Sequence, residues 1–119
     1  MQGNDKNKTL KAFFYRTPGG TEPVRDVLLE LDRDDRRVVG TDIKDVEFAW
    51  PIGMPLCRKV ASLWEVRSRI SGGRIFRVLF GVDGRVMVLL HAFVKKTQKT
   101  PKNDIETAES RWKDYQSRK

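Results

Sequence analysis

The second half of the chain alternates strand-like apolar segments with short turn signals, and this spacing limits the folds that it can adopt. Three segments, 63–70, 74–82 and 85–94, are rich in β-branched, aromatic and other apolar residues. Ser-Gly-Gly at 71–73 separates the first two, and Asp-Gly at 83–84, a strong two-residue hairpin signal, separates the last two. Because connections this short join antiparallel neighbours, the pattern predicts a three-stranded meander.

The rest of the chain predicts one further strand and three helices. Residues 11–16 are short and aromatic and run into Thr-Pro-Gly-Gly, which is typical of a strand that enters a turn. Apolar residues recur at helical spacing over 24–31 and again from Asp34 to about Phe48, where a segment with two prolines and a glycine follows. A last helix is predicted from Pro101 to about Gln116.

These elements predict an α+β fold, in which a four-stranded, mainly antiparallel sheet packs against two N-terminal helices and one C-terminal helix. We expect Thr21 to cap the first helix and Thr100 to cap the last, each before a proline in the first turn. At 119 residues the chain has room for one core. Residues 11–119 are therefore predicted to form a single domain, and the polar residues 1–10 a disordered tail.

The formal net charge of +8 is distributed unevenly. Residues 21–50 carry a net charge of −4, whereas residues 56–102 carry +9, from eleven lysines and arginines against Glu65 and Asp83. A basic section of this density suits a polyphosphate backbone and indicates nucleic acid as the partner. The alternative is a basic surface that serves solubility alone.

Several classes of protein are excluded by what the sequence does not contain. No apolar segment approaches the length of a membrane helix, and the N-terminus is not signal-like. The single cysteine, Cys57, excludes an internal disulfide and a multi-cysteine metal site, and we expect it to be a small core residue. The basic section has no carboxylate cluster at ligand spacing. We therefore predict a cytoplasmic protein with no membrane association, metal or other cofactor.

Alternation along the strands predicts which polar residues share a face of the sheet. Glu65 and Arg67 lie opposite to Trp64 in parity, and Arg77 is expected on the same exposed face of the next strand. The third strand leads into Lys-Lys-Thr-Gln-Lys at 95–99, which we call the lysine-rich segment. Since meander strands are neighbours, these residues are predicted to converge. The surrounding residues predicted to bind RNA are Arg69, His91, Lys95, Lys99 and Lys102.

Such a convergence contains the groups that RNA cleavage requires. A ribose 2′-hydroxyl attacks its own neighbouring phosphate when a base accepts its proton, and arginines stabilise the charge that develops. A lysine crowded by arginines has a lowered pKa, and Glu65 or His91 is a candidate for the other proton transfer. The alternatives are a surface ion pair between Glu65 and Arg67, a hydrogen-bonded core role for His91, and a solvated loop at 95–102. On spacing alone, nucleic-acid binding ranks ahead of cleavage.

Three motifs carry a resemblance to a known family. They are Leu-Trp-Glu-Val-Arg at 63–67, Phe-Arg-Val-Leu-Phe at 76–80, and Leu-Leu-His-Ala-Phe-Val-Lys-Lys-Thr-Gln-Lys-Thr-Pro at 89–101. In this order the chain resembles, over residues 11–115, the phage-derived HigB-like branch of the RelE/ParE toxin superfamily. The lysine motif is the specific part. Ala92 departs from the glycine that relatives commonly have, and a strand tolerates it.

The resemblance implies a RelE-like toxin of a type II toxin–antitoxin system that cuts mRNA in the ribosomal decoding site without a metal. It implies as partners the mRNA, the ribosome with its RNA, and a cognate helix-turn-helix antitoxin. It also implies catalytic roles for Arg67, Arg77 and one lysine of the lysine-rich segment, with Lys96 preferred and Glu65 in support.

Two other functions stay open from the sequence. The ParE branch shares the architecture but poisons gyrase, although the set of Arg67, Arg77 and Lys96 argues against it. A non-catalytic RNA- or ribosome-binding module, or an inactive toxin kept for regulation, would have the same charge. We expect Arg77→Ala to remove cleavage and to leave folding unaffected, because Arg77 is predicted to lie on an exposed sheet face.

Overall fold

The predicted α+β class and the order of the three helices are confirmed in a computed structural model of the protein. The structure describes residues 7–95 and 99–119, so the predicted tail lies outside the described residues over positions 1–6. The elements in chain order are β1 (Lys11–Phe14), α1 (Pro23–Leu29), α2 (Arg33–Ala49), β2 (Cys57–Val60), β3 (Leu63–Ile70), β4 (Arg74–Asp83), β5 (Val86–Lys95) and α3 (Lys102–Ser117).

The sheet of the described residues has five strands in the order β1-β5-β4-β3-β2, so the predicted number of four is wrong. The meander of β3, β4 and β5 is antiparallel as expected, whereas β1 joins β5 in parallel and makes the sheet mixed. The strand that the prediction missed is β2, which pairs with β3 from Cys57 opposite Val66 to Val60 opposite Leu63. It has four residues, two of them charged, and so it offers almost no periodic signal.

Both faces of the sheet are covered. The helices α1 and α2 pack on one face around buried side chains that include Val39, Val46 and Val78. The helix α3 packs on the other face around Leu79, Leu90 and others. Neighbouring residues of β4 are therefore both buried, with Val78 and Leu79 each 0% exposed. The predicted parity is confirmed, but the face opposite to α1 and α2 is not simply open to solvent.

A carboxylate at the end of α2 holds the start of the chain. The Glu47 side chain accepts the backbone N–H of Ala12 at 2.6 Å and forms an ion pair with Lys8 at 3.1 Å. The backbone carbonyl of Glu47 accepts the N–H groups of Thr9 and Leu10, and Leu10 is a core residue. The packed part of the chain thus begins ahead of the predicted boundary at residue 11.

Neither predicted threonine cap is present. The residue before α1 is Glu22, and the Thr21 hydroxyl is hydrogen-bonded to Thr17 Oγ1 at 2.8 Å. The residue before α3 is Pro101, which offers no side-chain cap, while Thr100 is turned towards Glu65. A buried carboxylate competes successfully for this hydroxyl because hydrogen bonds to a charged acceptor are the stronger ones. Among the helices of the described residues, none is long and apolar enough to span a membrane.

Candidate functional site

A fully buried carboxylate, that of Glu65 on β3, is the centre of the candidate site. The strand register places Arg58 of β2 directly across from Glu65. The Nε of Arg58 donates a hydrogen bond to Glu65 Oε1 at 2.9 Å. Burial of a charge is costly unless it is paired and hydrogen-bonded, and this contact supplies the first partner.

Two further arginines approach the same oxygen. Arg67 lies opposite Arg77 in the register of β3 and β4, so their side chains emerge side by side on the face that carries Glu65. Arg77 Nη1 lies 3.6 Å from Glu65 Oε1, and Arg67 Nε lies 3.9 Å from it. We refer to Arg58, Arg67 and Arg77 around Glu65 as the guanidinium cluster. Its three cations and one anion leave it with a formal excess of positive charge.

Solvent reaches the members of the guanidinium cluster unequally. The Arg77 side chain is 0% exposed, that of Arg67 is 10% exposed and that of Arg58 is 29% exposed. The prediction that Arg77 lies on an exposed face is therefore wrong, because both faces of this sheet are covered. Arg77→Ala would remove a large buried side chain and a partner of Glu65, so this substitution is expected to destabilise the fold.

Burial also sets the ionisation of the groups beside Glu65. Burial lowers the pKa of the Arg77 guanidinium, the Glu65 carboxylate opposes this, and the other two arginines add to it. An arginine stays charged at neutral pH even so. In the core on the face covered by α1 and α2, burial and then the charge of Glu65 raise the pKa of the Cys57 thiol to about 11. Cys57 is a neutral core residue, as expected, and offers no thiolate nucleophile.

Thr100 connects the guanidinium cluster to the end of the lysine-rich segment. Its hydroxyl donates to Glu65 Oε2 at 2.5 Å and accepts from Arg58 Nη2 at 3.1 Å. The segment starts from Lys95 at the end of β5, and both Lys95 and Lys99 are exposed. Lys96, the preferred catalytic lysine, lies outside the described residues.

The outer predicted residues flank the guanidinium cluster. Arg69 on β3 and Lys95 on β5 both lie opposite Ile75 of β4, so the three form one row across the sheet. On this face of the sheet, that row follows the one that contains Arg67 and Arg77, because residues two apart along a strand share a face. Arg69 is exposed, as is Lys102 at the first position of α3. The structure thus brings exposed cations to the edge of the cluster on the side of the lysine-rich segment.

His91, which is predicted to contact RNA, makes contacts with other side chains of the protein. Its Nε2 lies 2.7 Å from Asp104 Oδ1, and Arg111 Nη1 donates to its Nδ1 at 3.2 Å and to the Leu90 carbonyl at 2.9 Å. Because arginine only donates, Nδ1 must accept and Nε2–H faces the carboxylate. The Phe93 ring stacks on the imidazole at 5.5 Å. These contacts connect α3 to β5. They correspond to the alternative in which His91 has a hydrogen-bonded structural role.

Two members of the site, Arg58 and Thr100, were not predicted from the sequence. Arg58 was overlooked because β2 was not predicted, and its position opposite Glu65 depends on that pairing. Thr100 was assigned to a helix cap instead of a side-chain contact. The sequence feature that corresponds to β2 is the short Cys-Arg-Lys-Val stretch before the Ala-Ser turn, and it is too short to predict a strand on its own. Within residues 7–95 and 99–119, no group of three or more His, Cys, Asp or Glu side chains could hold a metal ion.

Comparison with known proteins gives a family. No curated protein matches the chain. Residues 26–113 match the model of the family described as "Phage derived protein Gp49-like", a RelE/toxin-like family. The match includes every member of the guanidinium cluster and extends from α1 into α3. This confirms the resemblance at the level of the family and leaves the branch untested. Since the matched range covers well over half of the sequence, the chain belongs to the phage-derived Gp49-like family.

Proposed function

We propose that this protein is the toxin of a type II toxin–antitoxin system, of the HigB-like kind, and that it is a metal-independent endoribonuclease that cuts mRNA on the ribosome. The observation that carries the proposal is the guanidinium cluster, which is joined by Thr100 to the lysine-rich segment. Membership of a RelE/toxin-like family supports it independently.

The geometry of the guanidinium cluster suits stabilisation of a phosphate. Cations that are fixed before the reaction stabilise developing negative charge without a cost of reorganisation. Glu65, held by three arginines and Thr100, keeps these guanidiniums in place. We assign contact with the scissile phosphate to Arg67 and Arg58, whose side chains reach solvent. Arg77 is fully buried, so we assign it a positioning role through Glu65 instead of direct contact.

Proton transfer from the 2′-hydroxyl is assigned to Lys96. Thr100 fixes the end of the lysine-rich segment beside the guanidinium cluster, four positions after Lys96. A lysine near guanidiniums loses basicity because its charged form is repelled, which makes it effective near neutral pH. Arg69, Lys95, Lys99 and Lys102 are proposed to contact the flanking backbone of the RNA. The proposed partners are mRNA, the ribosome with its RNA and a helix-turn-helix antitoxin, and the proposed location is the cytoplasm.

A non-catalytic RNA-binding module is the second candidate. The specific observation in its favour is that Glu65 and Arg77 are both fully buried and paired with each other. Buried ion pairs also occur as structural elements, so these contacts are compatible with a basic surface that binds RNA without cutting it.

Induced expression of wild type, Arg67→Ala and Arg37→Ala distinguishes these functions. Arg37 is exposed on α2, so Arg37→Ala removes the same charge away from the guanidinium cluster. Growth and the 5′ ends of messages are followed together, and thermal melting checks that each variant folds. We expect wild type and Arg37→Ala to stop growth and to produce new cuts inside translated messages. Arg67→Ala should reduce cleavage by about 10²–10³-fold, as removal of a preorganised charge does.

The other outcomes point elsewhere. Growth arrest without new cuts would contradict the nuclease and favour another target such as gyrase. Absence of arrest in the wild type would favour the binding module or an inactive toxin. Cleavage that is unchanged in Arg67→Ala would contradict the role given to the guanidinium cluster.

A further inference from the structure

Arg67 also lines a cavity that the proposed cleavage chemistry does not use. The cavity has a volume of about 280 Å³, near the lower end of the range for small-ligand pockets. It opens at the edge of the sheet, between α2 and the chain that leads into β2. Its lining residues are Val38, Asp42, Pro55, Leu56, Arg67 and Arg69.

The cavity exists because β2 is shorter than β3. Pairing of the two strands ends at Cys57 opposite Val66, and the last backbone contact is the Arg67 N–H bond to the Leu56 carbonyl at 2.8 Å. Beyond this point β3 continues to Ile70 along the cavity instead of pairing with β2. The side chains of Arg67 and Arg69 therefore project at an edge where a ligand has access.

The lining combines apolar walls with one acceptor and two cations. Val38, Pro55 and Leu56 supply apolar surface, and Val38 is 39% exposed, a large fraction for a valine. The polar groups are the two guanidiniums and the carboxylate of Asp42. Burial raises the pKa of Asp42, a side-chain hydrogen bond with Ser68 opposes this shift, and the charge of Asp45 adds to it. A carboxylate drawn out of water in this way gains from hydrogen-bond donors on a ligand.

We infer that this cavity receives one guanine base of a bound RNA strand, with the Asp42 carboxylate accepting the hydrogens on N1 and N2 of the base. An ionised carboxylate only accepts, and guanine is the RNA base that presents two adjacent donors on its Watson–Crick edge. Unpaired RNA bases bind in this manner, stacked on apolar or guanidinium surfaces and hydrogen-bonded at that edge.

The position of Arg67 connects the cavity to the candidate site. Arg67 contacts Glu65 on one side and lines the cavity on the other, so a base held there lies next to the proposed phosphate site. Arg69 is placed to neutralise a phosphate of the same strand. The inference rests on the proposed function in taking RNA as the ligand, and it adds a preference for guanine beside the cleavage position.

Binding of RNA that cannot be cleaved tests the inference separately from nuclease activity. The probes are fluorescent uridine dodecanucleotides, fully 2′-O-methylated, with one central guanosine or one central adenosine. Fluorescence anisotropy gives the Kd of each probe for wild type, Asp42→Asn and Asp45→Asn. Asp45 is the matched control, since it is exposed, lies one turn further along α2 and is not part of the cavity lining. Thermal melting confirms that the variants are folded.

We expect wild type to bind the guanosine probe about tenfold more tightly than the adenosine probe, the typical gain from one bidentate base contact. Asp42→Asn should bind both probes equally, while Asp45→Asn should keep the preference. Equal binding of the two probes by wild type, or a preference that survives in Asp42→Asn, would overturn the inference. A preference that depends on Asp42 in a protein that makes no cuts would support the cavity and refute the nuclease.

Discussion

The hydroxyl of Thr100 donates a hydrogen bond to Oε2 of Glu65, so the residue after the lysine-rich segment is attached to the centre of the guanidinium cluster. Both residues are buried, with Thr100 4% exposed and Glu65 0% exposed. The same hydroxyl accepts a hydrogen bond from Arg58. One side chain thereby sets where the chain leaves the cluster and enters α3.

Thr100→Val should separate the contributions of this hydroxyl from those of packing. Valine has nearly the same shape but leaves the buried Glu65 oxygen without its donor, so we expect the free energy of unfolding to fall by about 1–3 kcal/mol. Under the proposed function, RNA cleavage should also fall, because the lysine-rich segment is no longer attached to the guanidinium cluster. Urea unfolding and 5′-end mapping measure the two effects.

Thr100→Ser is the matched control, since serine keeps the hydroxyl and loses only a methyl group. It should retain most of the stability and the cleavage of the wild type. If the valine and serine variants were equally stable and equally active, the hydrogen bond to Glu65 would have no role.

Strand alternation was enough to place Glu65, Arg67 and Arg77 on one face of the sheet. The turns at 71–73 and at 84–85, one residue after the predicted Asp-Gly turn, fix the register of the meander, and register fixes which side chains are neighbours. What alternation does not reveal is whether a face is covered. Arg77 is buried because packing on that face comes from residues distant in sequence, α3 among them, and no local pattern contains this information.

The two missed residues show the same limit in different ways. Arg58 acquires its position from the pairing of a four-residue strand, which is too short for a periodic signal. Thr100 has the local sequence of a helix cap, and its contact with Glu65, 35 positions away, overrides that preference. Local chemistry thus predicted the residue types of the site, while long-range packing decided which of them meet.

Arg36 should be important for stability in a way that its neighbour Arg37 is not. The Arg36 guanidinium donates to the backbone carbonyls of Leu28, Leu29 and Leu31, where α1 ends and the chain turns into α2. Helix C-termini leave such carbonyls without partners in the helix. Arg36→Ala should lower the free energy of unfolding by about 1.5–3 kcal/mol, the typical value for hydrogen bonds to a charged group.

Arg37→Ala removes the same charge from an exposed position one residue later, and it should change the free energy of unfolding by less than about 0.5 kcal/mol. Urea unfolding of both variants at one pH and salt concentration makes the comparison. Similar losses in the two variants would mean that net charge, not the bonds to the three carbonyls, is responsible.

Asp35 should make the stability of the protein sensitive to acid. Its carboxylate accepts the N–H and O–H of Ser71 at 3.0 and 2.7 Å, and Arg74 lies 3.1 Å away. The Ser71 hydrogen bonds, and then the charge of Arg74, lower the pKa of Asp35 below its ordinary value of 3.8. The folded state therefore favours the ionised form. This stabilisation is complete above the ordinary pKa and is lost as the pH falls through the lowered one.

The free energy of unfolding of wild type and Asp35→Asn, measured by urea between about pH 2 and pH 7, tests this linkage. The wild type should be the more stable above about pH 5, and the difference should shrink as the pH falls below the ordinary value of 3.8. Asp34→Asn, at the exposed neighbouring position, should show no such convergence. A difference between wild type and Asp35→Asn that is the same at both ends of the range would contradict the assignment.

Two glycine-to-alanine substitutions should have opposite effects on stability. A Cβ atom on Gly81 of β4 would lie 2.6 Å from the ring of Trp112, so the ring that packs α3 on the sheet would have to move. We expect Gly81→Ala to lower the free energy of unfolding by about 1–3 kcal/mol, as overpacking does.

Gly40 lies inside α2, and a Cβ atom there would have no neighbour within 4 Å. Gly40→Ala should raise the free energy of unfolding by about 0.5–1 kcal/mol, because glycine is a poorer helix former than alanine. Thermal and urea unfolding of both variants measure the two signs. A stabilising Gly81→Ala would mean that α3 is not held against β4 by the contact of Trp112 with this glycine.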